Sequence, residues 1–388
     1  MTIKSRLNEL NKFLEDLATE MWPGTIMQFY KRFDFQNISR ISSFTIFILI
    51  FAIALLLCTR PAGIITKLEY FFVPNFSANT ISRFRFSSGY LSSETGSNIT
   101  PIQPTSVVFR NDWLFVSNWG ANNISSHEVL ESGLIQKTIV DLQSLSLSRP
   151  HHLLLHPNLP ILYVAHESTP GYVTTWRIET NGSLKMLGNP LPAGDRTSTI
   201  VPTTDFSHIY ASSPGDGKIY PFSIASDGWL TSITAEQIAF GISGPYMAIP
   251  ILENKRIVVM NFATDNLLIF HRNQLTGKFG SQIAEIQLEK DSNPRWMAYL
   301  EKYNRILVAS SAKSAIYSVD ISENIILIGE TISNLSNPRS ISISPDGNFA
   351  LCSIDQKILV LAMLSGRLLS IQEIQTGQLP LFGSFAVK

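Results

Sequence analysis

Cysteine is almost missing from this chain: Cys58 and Cys352 are the only two among 388 residues. One sits in an apolar run and the other lies far away, so neither a disulfide framework nor a zinc site can be built from them. An excess of charge is missing too, since 30 basic residues face 30 acidic ones. That balance removes the electrostatic footprint of a nucleic-acid binder. Charged residues of both signs make up only 15% of the chain, against about 25% in an ordinary soluble domain. The 45% apolar share is normal, which excludes disorder and leaves enough material for a large core. No HExxH, paired-cysteine, GxSxG, P-loop or GxGxxG arrangement occurs, so metalloprotease, serine-hydrolase and nucleotide-binding readings lack a motif. No metal and no cofactor is implied.

One long hydrophobic run is present. Ile41 to Cys58 carries no charge, and as a helix those eighteen residues would span about 27 Å, enough to cross a bilayer. A buried core helix would show a polar face, and none exists between Phe44 and Leu57. Initiation at Met27 would instead turn the run into a cleaved signal peptide. Lys31, Arg32 and Arg40 precede the run, against Arg60 and Lys67 after it. This bias predicts a single-pass protein with a cytoplasmic N-terminus and the remainder on the outer side. Before the run, Leu7, Leu10, Leu14, Leu17 and Met21 form one helical stripe ended by Pro23-Gly24, an amphipathic helix within an N-terminal segment 1–40. Residues 59–69 read as a linker.

From Tyr70 onward the chain repeats itself. Segments 73–86, 116–129, 164–178, 211–224, 259–272, 308–321 and 352–363 each contain an apolar run, a polar turn and an alternating run. That is the pattern of a hairpin. A further short strand opens most units at Pro104, Pro150, Pro245, Pro294, Pro338 and Pro380, with Asp195 in the remaining place, at spacings of 46, 45, 50, 49, 44 and 42. Four short strands in a period of this size, with no helical stripe, predict an all-β, seven-bladed β-propeller over 70–388. The first unit lacks a first strand and the chain ends in a spare one, LPLFGSFAVK. Pairing Leu379–Val387 beside Tyr70–Asn75 would close the ring and leave no open edge.

Repeat symmetry then predicts a site, because equivalent positions in successive blades form a ring at one height. The residues after the markers are Thr105, His151, Arg196, Tyr246, Arg295, Arg339 and Leu381. The second-strand ends, which return to the same mouth, are Asn75, Asn118, His166 with Glu167, Ser213, Asn261, Ser310 and Ser353. Arg196, Arg295 and Arg339, with His166 and Tyr246 beside them, would hold a carboxylate or phosphate through forked hydrogen bonds. His151 would serve as general base and Glu167 would orient it. His152, one position on, should face the blade packing. Trp113, Trp119, Trp176 and Trp296 are read as packing too.

The phrases RPHHLLLHPNLPILYVAHE (149–167), NPRSISISPDGNFALCS (337–353) and the closing TGQLP resemble the seven-bladed lactonase family. That family includes 6-phosphogluconolactonases and carboxymuconate cyclases. The resemblance implies an arginine directly after the proline of the 149–167 unit and a glutamate after its second strand. Here the glutamate is kept as Glu167 and the arginine is replaced by His151. Two functions stay open. The chain is a membrane-tethered propeller that binds a small anionic ligand or a protein partner at one channel mouth without chemistry, or it hydrolyses or isomerises a carboxylated or phosphorylated lactone there.

Overall fold

The structure, a computed structural model, describes residues 69–94, 99–141, 148–237, 244–321, 326–364 and 366–387. The apolar run 41–58 and the stripe before it lie outside the described residues. Among the described residues no helix is long and apolar enough to cross a membrane.

Among the described residues seven antiparallel sheets follow one another, each built on four strands, which in six of the sheets run in chain order. Blades I to VI open with the strands Pro104–Arg110, Pro150–Leu155, Thr199–Pro202, Pro245–Ile251, Pro294–Leu300 and Pro338–Ile343. Blade III carries an extra two-residue strand, Glu236–Gln237, on its third strand. Blade VII is assembled from both ends of the repeat array. Its first strand is Ser384–Val387, and Glu69–Asn75, Thr80–Ser87 and Tyr90–Ser93 supply the rest. Glu69 pairs with Val387 and Phe72 with Ser384, which joins the incomplete first unit to the surplus last strand.

Burial explains why these sequences form these strands. The second strands Trp113–Asn118, Ile161–His166 and His208–Ser213 are buried at every position, because neighbouring blades cover both of their faces. The outer strand Phe279–Gln287 is mostly exposed and correspondingly polar. Between blades, the third-to-fourth-strand turns lock onto the blade before them. The Tyr163 hydroxyl donates to the Gly228 carbonyl at 2.8 Å and the Tyr210 hydroxyl to that of Gly277 at 2.7 Å. Gly182, at φ +81°, lies so close to Trp113 that a Cβ would stand 2.1 Å from the indole.

One irregularity recurs and positions the site. In five blades the ladder shifts register immediately after the opening proline, between Pro104 and Ser106, Pro150 and His152, Pro245 and Met247, Pro294 and Trp296, and Pro338 and Ser340. Proline tolerates the first position of a strand because it has no N–H to donate. The bulge behind it takes the next side chain out of the pleat and re-aims it.

Candidate functional site

The re-aimed side chains meet in a cavity of about 190 Å³ at one end of the channel. Thr105, His151, Tyr246, Arg295, Arg339 and Leu381 all line it, and so does Glu167. Two residues named from the sequence fall elsewhere. Arg196 is exposed and does not line the cavity. In blade III, Thr199 pairs with Ser212, one residue before the strand end at Ser213. The place that proline holds in other blades is therefore Thr197, and the ring position is Ser198. A chain of bonds supports this register. The Thr105 hydroxyl donates to the His151 carbonyl (2.7 Å), His151 Nδ1 to the Ser198 carbonyl (2.6 Å), and the Ser198 hydroxyl to the Tyr246 carbonyl (3.4 Å). His166 is the second departure. It is fully buried within blade II, with Nε2 bonded to the Thr174 hydroxyl at 2.9 Å, and burial lowers its pKa to about 4.

The chemistry of the lining divides by side. Arg295 and Arg339 are both half-buried. Arg295 lies over the Phe262 ring, 4.6 Å from its centroid, and its Nε donates to the Ser311 hydroxyl at 3.4 Å. Arg339 is held by Asn337, whose amide oxygen accepts from Arg339 Nε at 3.1 Å once the amide is turned to satisfy both groups. Burial and then the charge of Arg295 lower the Arg339 pKa. Among the described residues neither guanidinium has a carboxylate in salt-bridge range. The paired arginines are Arg83, Arg177, Arg305 and Arg367, with Glu94, Glu179, Asp320 and Glu330. Tyr246 stays protonated, its phenol pushed up to about 12 by burial and then by the charge of Glu167, with Arg295, Arg339 and Arg196 opposing.

On another side, Glu167 Oε2 accepts from the indole of Trp119 at 2.9 Å, and the Arg149 guanidinium lies 4.7 Å from the Trp119 ring centroid. Trp119, read from the sequence as packing, lines the cavity instead. His151 is buried, and because a carbonyl can only accept, its Nδ1 carries the proton. Its Nε2 makes no hydrogen bond among the described residues. The remaining wall is apolar, made by Phe76, Leu379, Leu381 and Phe382 from the two ends of the repeat array that form blade VII. Sequence reasoning missed Ser198, Arg149, the place of Trp119 in the lining and, Leu381 apart, this wall. One signal was available for the first: replacing Asp195 by Thr197 changes the spacings 45 and 50 to the more even 47 and 48. Among the described residues no group of three or more histidine, cysteine or acidic side chains could hold a metal ion. Cys352 is fully buried, and burial pushes its thiol up.

Solved structures similar to this chain share its architecture. A protein assigned as a 6-phosphogluconolactonase from Bacteroides uniformis superposes with a TM-score of 0.71 at 14% identity, covering 83% of this chain and 100% of its own. A Lactobacillus plantarum protein gives 0.71 at 13% identity, covering 82% and 99%. The periplasmic gluconolactonase of Pseudomonas aeruginosa gives 0.66 at 17% identity, covering 83% and 100%. Among curated proteins no sequence matches the chain. The family of lactonases with a seven-bladed β-propeller matches residues 103–296, half of the sequence and the stretch that carries Thr105, Trp119, His151, Glu167, Tyr246 and Arg295, so the chain belongs to the seven-bladed β-propeller lactonase family.

Proposed function

We propose that the mouth cavity binds a small organic anion, on a propeller tethered to a membrane by residues 41–58. The observation that carries the reading is the pair Arg295 and Arg339, both half-buried and lining one cavity, with burial and then the charge of Arg295 lowering the Arg339 pKa and no carboxylate in salt-bridge range of either among the described residues. Like charges held together out of water cost free energy unless an anion joins them. Two guanidinium forks and the Tyr246 hydroxyl supply the donors that a carboxylate or phosphate takes up. A propeller on the outer side of the membrane agrees with the charge bias around 41–58 and with the similarity to a periplasmic gluconolactonase.

A second reading, lactone hydrolysis, is favoured by His151, whose Nε2 has no hydrogen-bond partner among the described residues, in the same cavity as Glu167. His151 would take a proton from water attacking the lactone carbonyl and return it to the ring oxygen as the acyl C–O bond breaks, Glu167 would stabilise the imidazolium between the two transfers, and the guanidinia would hold the anion. The test is titration of the full-length protein with small carboxylates and phosphate esters, followed by tryptophan fluorescence. Arg339→Gln is expected to lose about 1.5–3 kcal/mol of anion affinity. Unchanged affinity in both Arg295→Gln and Arg339→Gln would overturn the binding reading. If lactones turn over, His151→Gln should lose roughly 10²–10⁴ of the rate with little change in binding. No hydrolysis above background across a panel of anionic lactones removes the second reading and leaves the first.

A further inference from the structure

We propose that Phe382 is the floor of the mouth cavity and sets the length of ligand it accepts, and that the chamber beneath, which its ring separates from the mouth, is an extension of the same site. The proposal rests on the anion-binding reading given above. A second cavity of about 100 Å³ lies next along the channel, lined by Val107, Leu153, Trp296, Ile341 and the serines at 106, 340 and 342. Four of the residues that line it directly follow, in sequence, residues that line the mouth cavity, one in each of four blades: Ser106 after Thr105, His152 after His151, Trp296 after Arg295, Ser340 after Arg339. The two chambers are thus successive levels of one channel. They share a single lining residue, Phe382.

The Phe382 ring is clamped where it divides them. It stacks on Trp296 with centroids 4.3 Å apart and planes at 24°. The rings of His151 and His152 meet it edge-on at 5.3 and 5.5 Å. Its backbone is held independently of the ring. Phe382 N donates to the Thr105 carbonyl at 3.1 Å, and its carbonyl accepts from Val107 N at 3.2 Å. The Gly383 carbonyl accepts from the Ser342 hydroxyl at 2.8 Å. Glycine is required at 383, because a Cβ there would stand 2.6 Å from the Phe71 ring and 2.9 Å from the Phe72 carbonyl oxygen. The segment leading into the closing strand thereby places one aromatic ring between the two chambers, and shortening that side chain should open a passage without moving the chain.

The ligand selected follows from the walls. An anionic head on Arg295 and Arg339 leaves its body against Phe76, Leu379, Leu381 and Phe382, a depth suited to one ring. A longer apolar body would have to enter the lower chamber, whose Val107, Leu153 and Ile341 would receive it. The test uses the full-length protein in detergent, with micelle blanks subtracted, and measures binding of benzoate and biphenyl-4-carboxylate by calorimetry. The unaltered protein should prefer benzoate by tenfold or more, and Phe382→Ala should reverse that preference. Phe382→Leu, which keeps an apolar contact with Trp296 and shortens the plug, should shift the ratio the same way by threefold or more, and it carries the test if the alanine form does not fold. Benzoate binding with the same ratio in all forms overturns the floor alone. Absence of benzoate binding in every form overturns the anion-binding reading, and the floor proposal with it.

Discussion

Lowering the pH from 7.5 to 5 should destabilise this propeller well before its carboxylates are protonated. His127 is buried between the hydroxyls of Ser125 (2.7 Å) and Thr138 (3.0 Å), and burial lowers its pKa to about 4. His166, inside blade II, is lowered to about 4 as well. His152 faces the lower chamber between Trp296 and Phe382, where burial and then the charge of His151 lower it to about 3. In the unfolded chain each would titrate near 6.5. A folded pKa below the unfolded one means that the stability is complete above 6.5 and is lost as the pH falls toward the folded value. At pH 5 each histidine is about 1.5 units below its unfolded pKa, which at 1.36 kcal/mol per unit costs about 2 kcal/mol. The three together cost about 4–6 kcal/mol, a large part of the 5–15 kcal/mol typical of a folded domain. Urea unfolding midpoints at pH 7.5, 6 and 5 would measure this. The midpoint should fall steadily, and His127→Gln or His166→Gln should each remove about a third of the fall. A midpoint that stays constant from 7.5 to 5, or resonances of the His127, His152 and His166 rings that titrate near 6.5, would refute the argument.

Gly182→Ala should destabilise the propeller by about 1–3 kcal/mol in the same assay, because strain at φ +81° adds to a collision with Trp113, whereas Gly366→Ala, at φ +75° with nothing within 4 Å, should cost only the backbone term of about 1 kcal/mol. Equal losses at the two sites would show that the contact with Trp113 carries no weight. Leu275 is 93% exposed in a turn of blade IV and Cys352 is fully buried, so Leu275→Cys in intact cells should react with an impermeant thiol reagent if the propeller lies on the outer side. Reaction only after lysis would reverse the proposed orientation.

Much of the architecture is visible in the sequence because each blade repeats two local signals. A period-two apolar run marks the strands, and a proline marks where the first strand begins. The missing first strand at one end of the array and the spare one at the other are visible for the same reason. The site is less legible. What aims Thr105, His151, Tyr246, Arg295 and Arg339 into the channel is a bulge, and a bulge is a property of the pairing between strands. Where proline is replaced, as in blade III, the sequence leaves a two-residue uncertainty that only the pairing of Thr199 with Ser212 resolves. That uncertainty exchanges an arginine for Ser198. His166 has the right height and the wrong direction, since it pairs with Pro150 at the strand end while its ring turns toward Thr174. Phe382 carried no motif at all. Its role comes from Gly383, which lets the chain pass close to Phe71.

The exchange at blade III, with the histidine at position 151, also changes the charge the cavity offers. Of the side chains that line it, Arg295 and Arg339 carry one positive charge each and Glu167 one negative. Arg196 and Arg149 are exposed at the rim, where solvent and salt screen them. Counted over Arg295, Arg339 and Glu167, the lining presents a net charge of about +1. A carboxylate matches that charge. A phosphate monoester, carrying −1.5 to −2 near neutral pH, would leave part of its charge uncompensated beside Glu167 and an apolar wall, at a desolvation cost that carboxylates avoid. Benzoate should consequently bind more tightly than phenyl phosphate at pH 7.5, and Glu167→Gln, which raises the net charge of the lining to about +2, should narrow or reverse that order. Tighter phenyl phosphate binding in the unaltered protein would mean that the rim arginines reach the ligand after all and that charge counted over the lining alone is the wrong measure of this site.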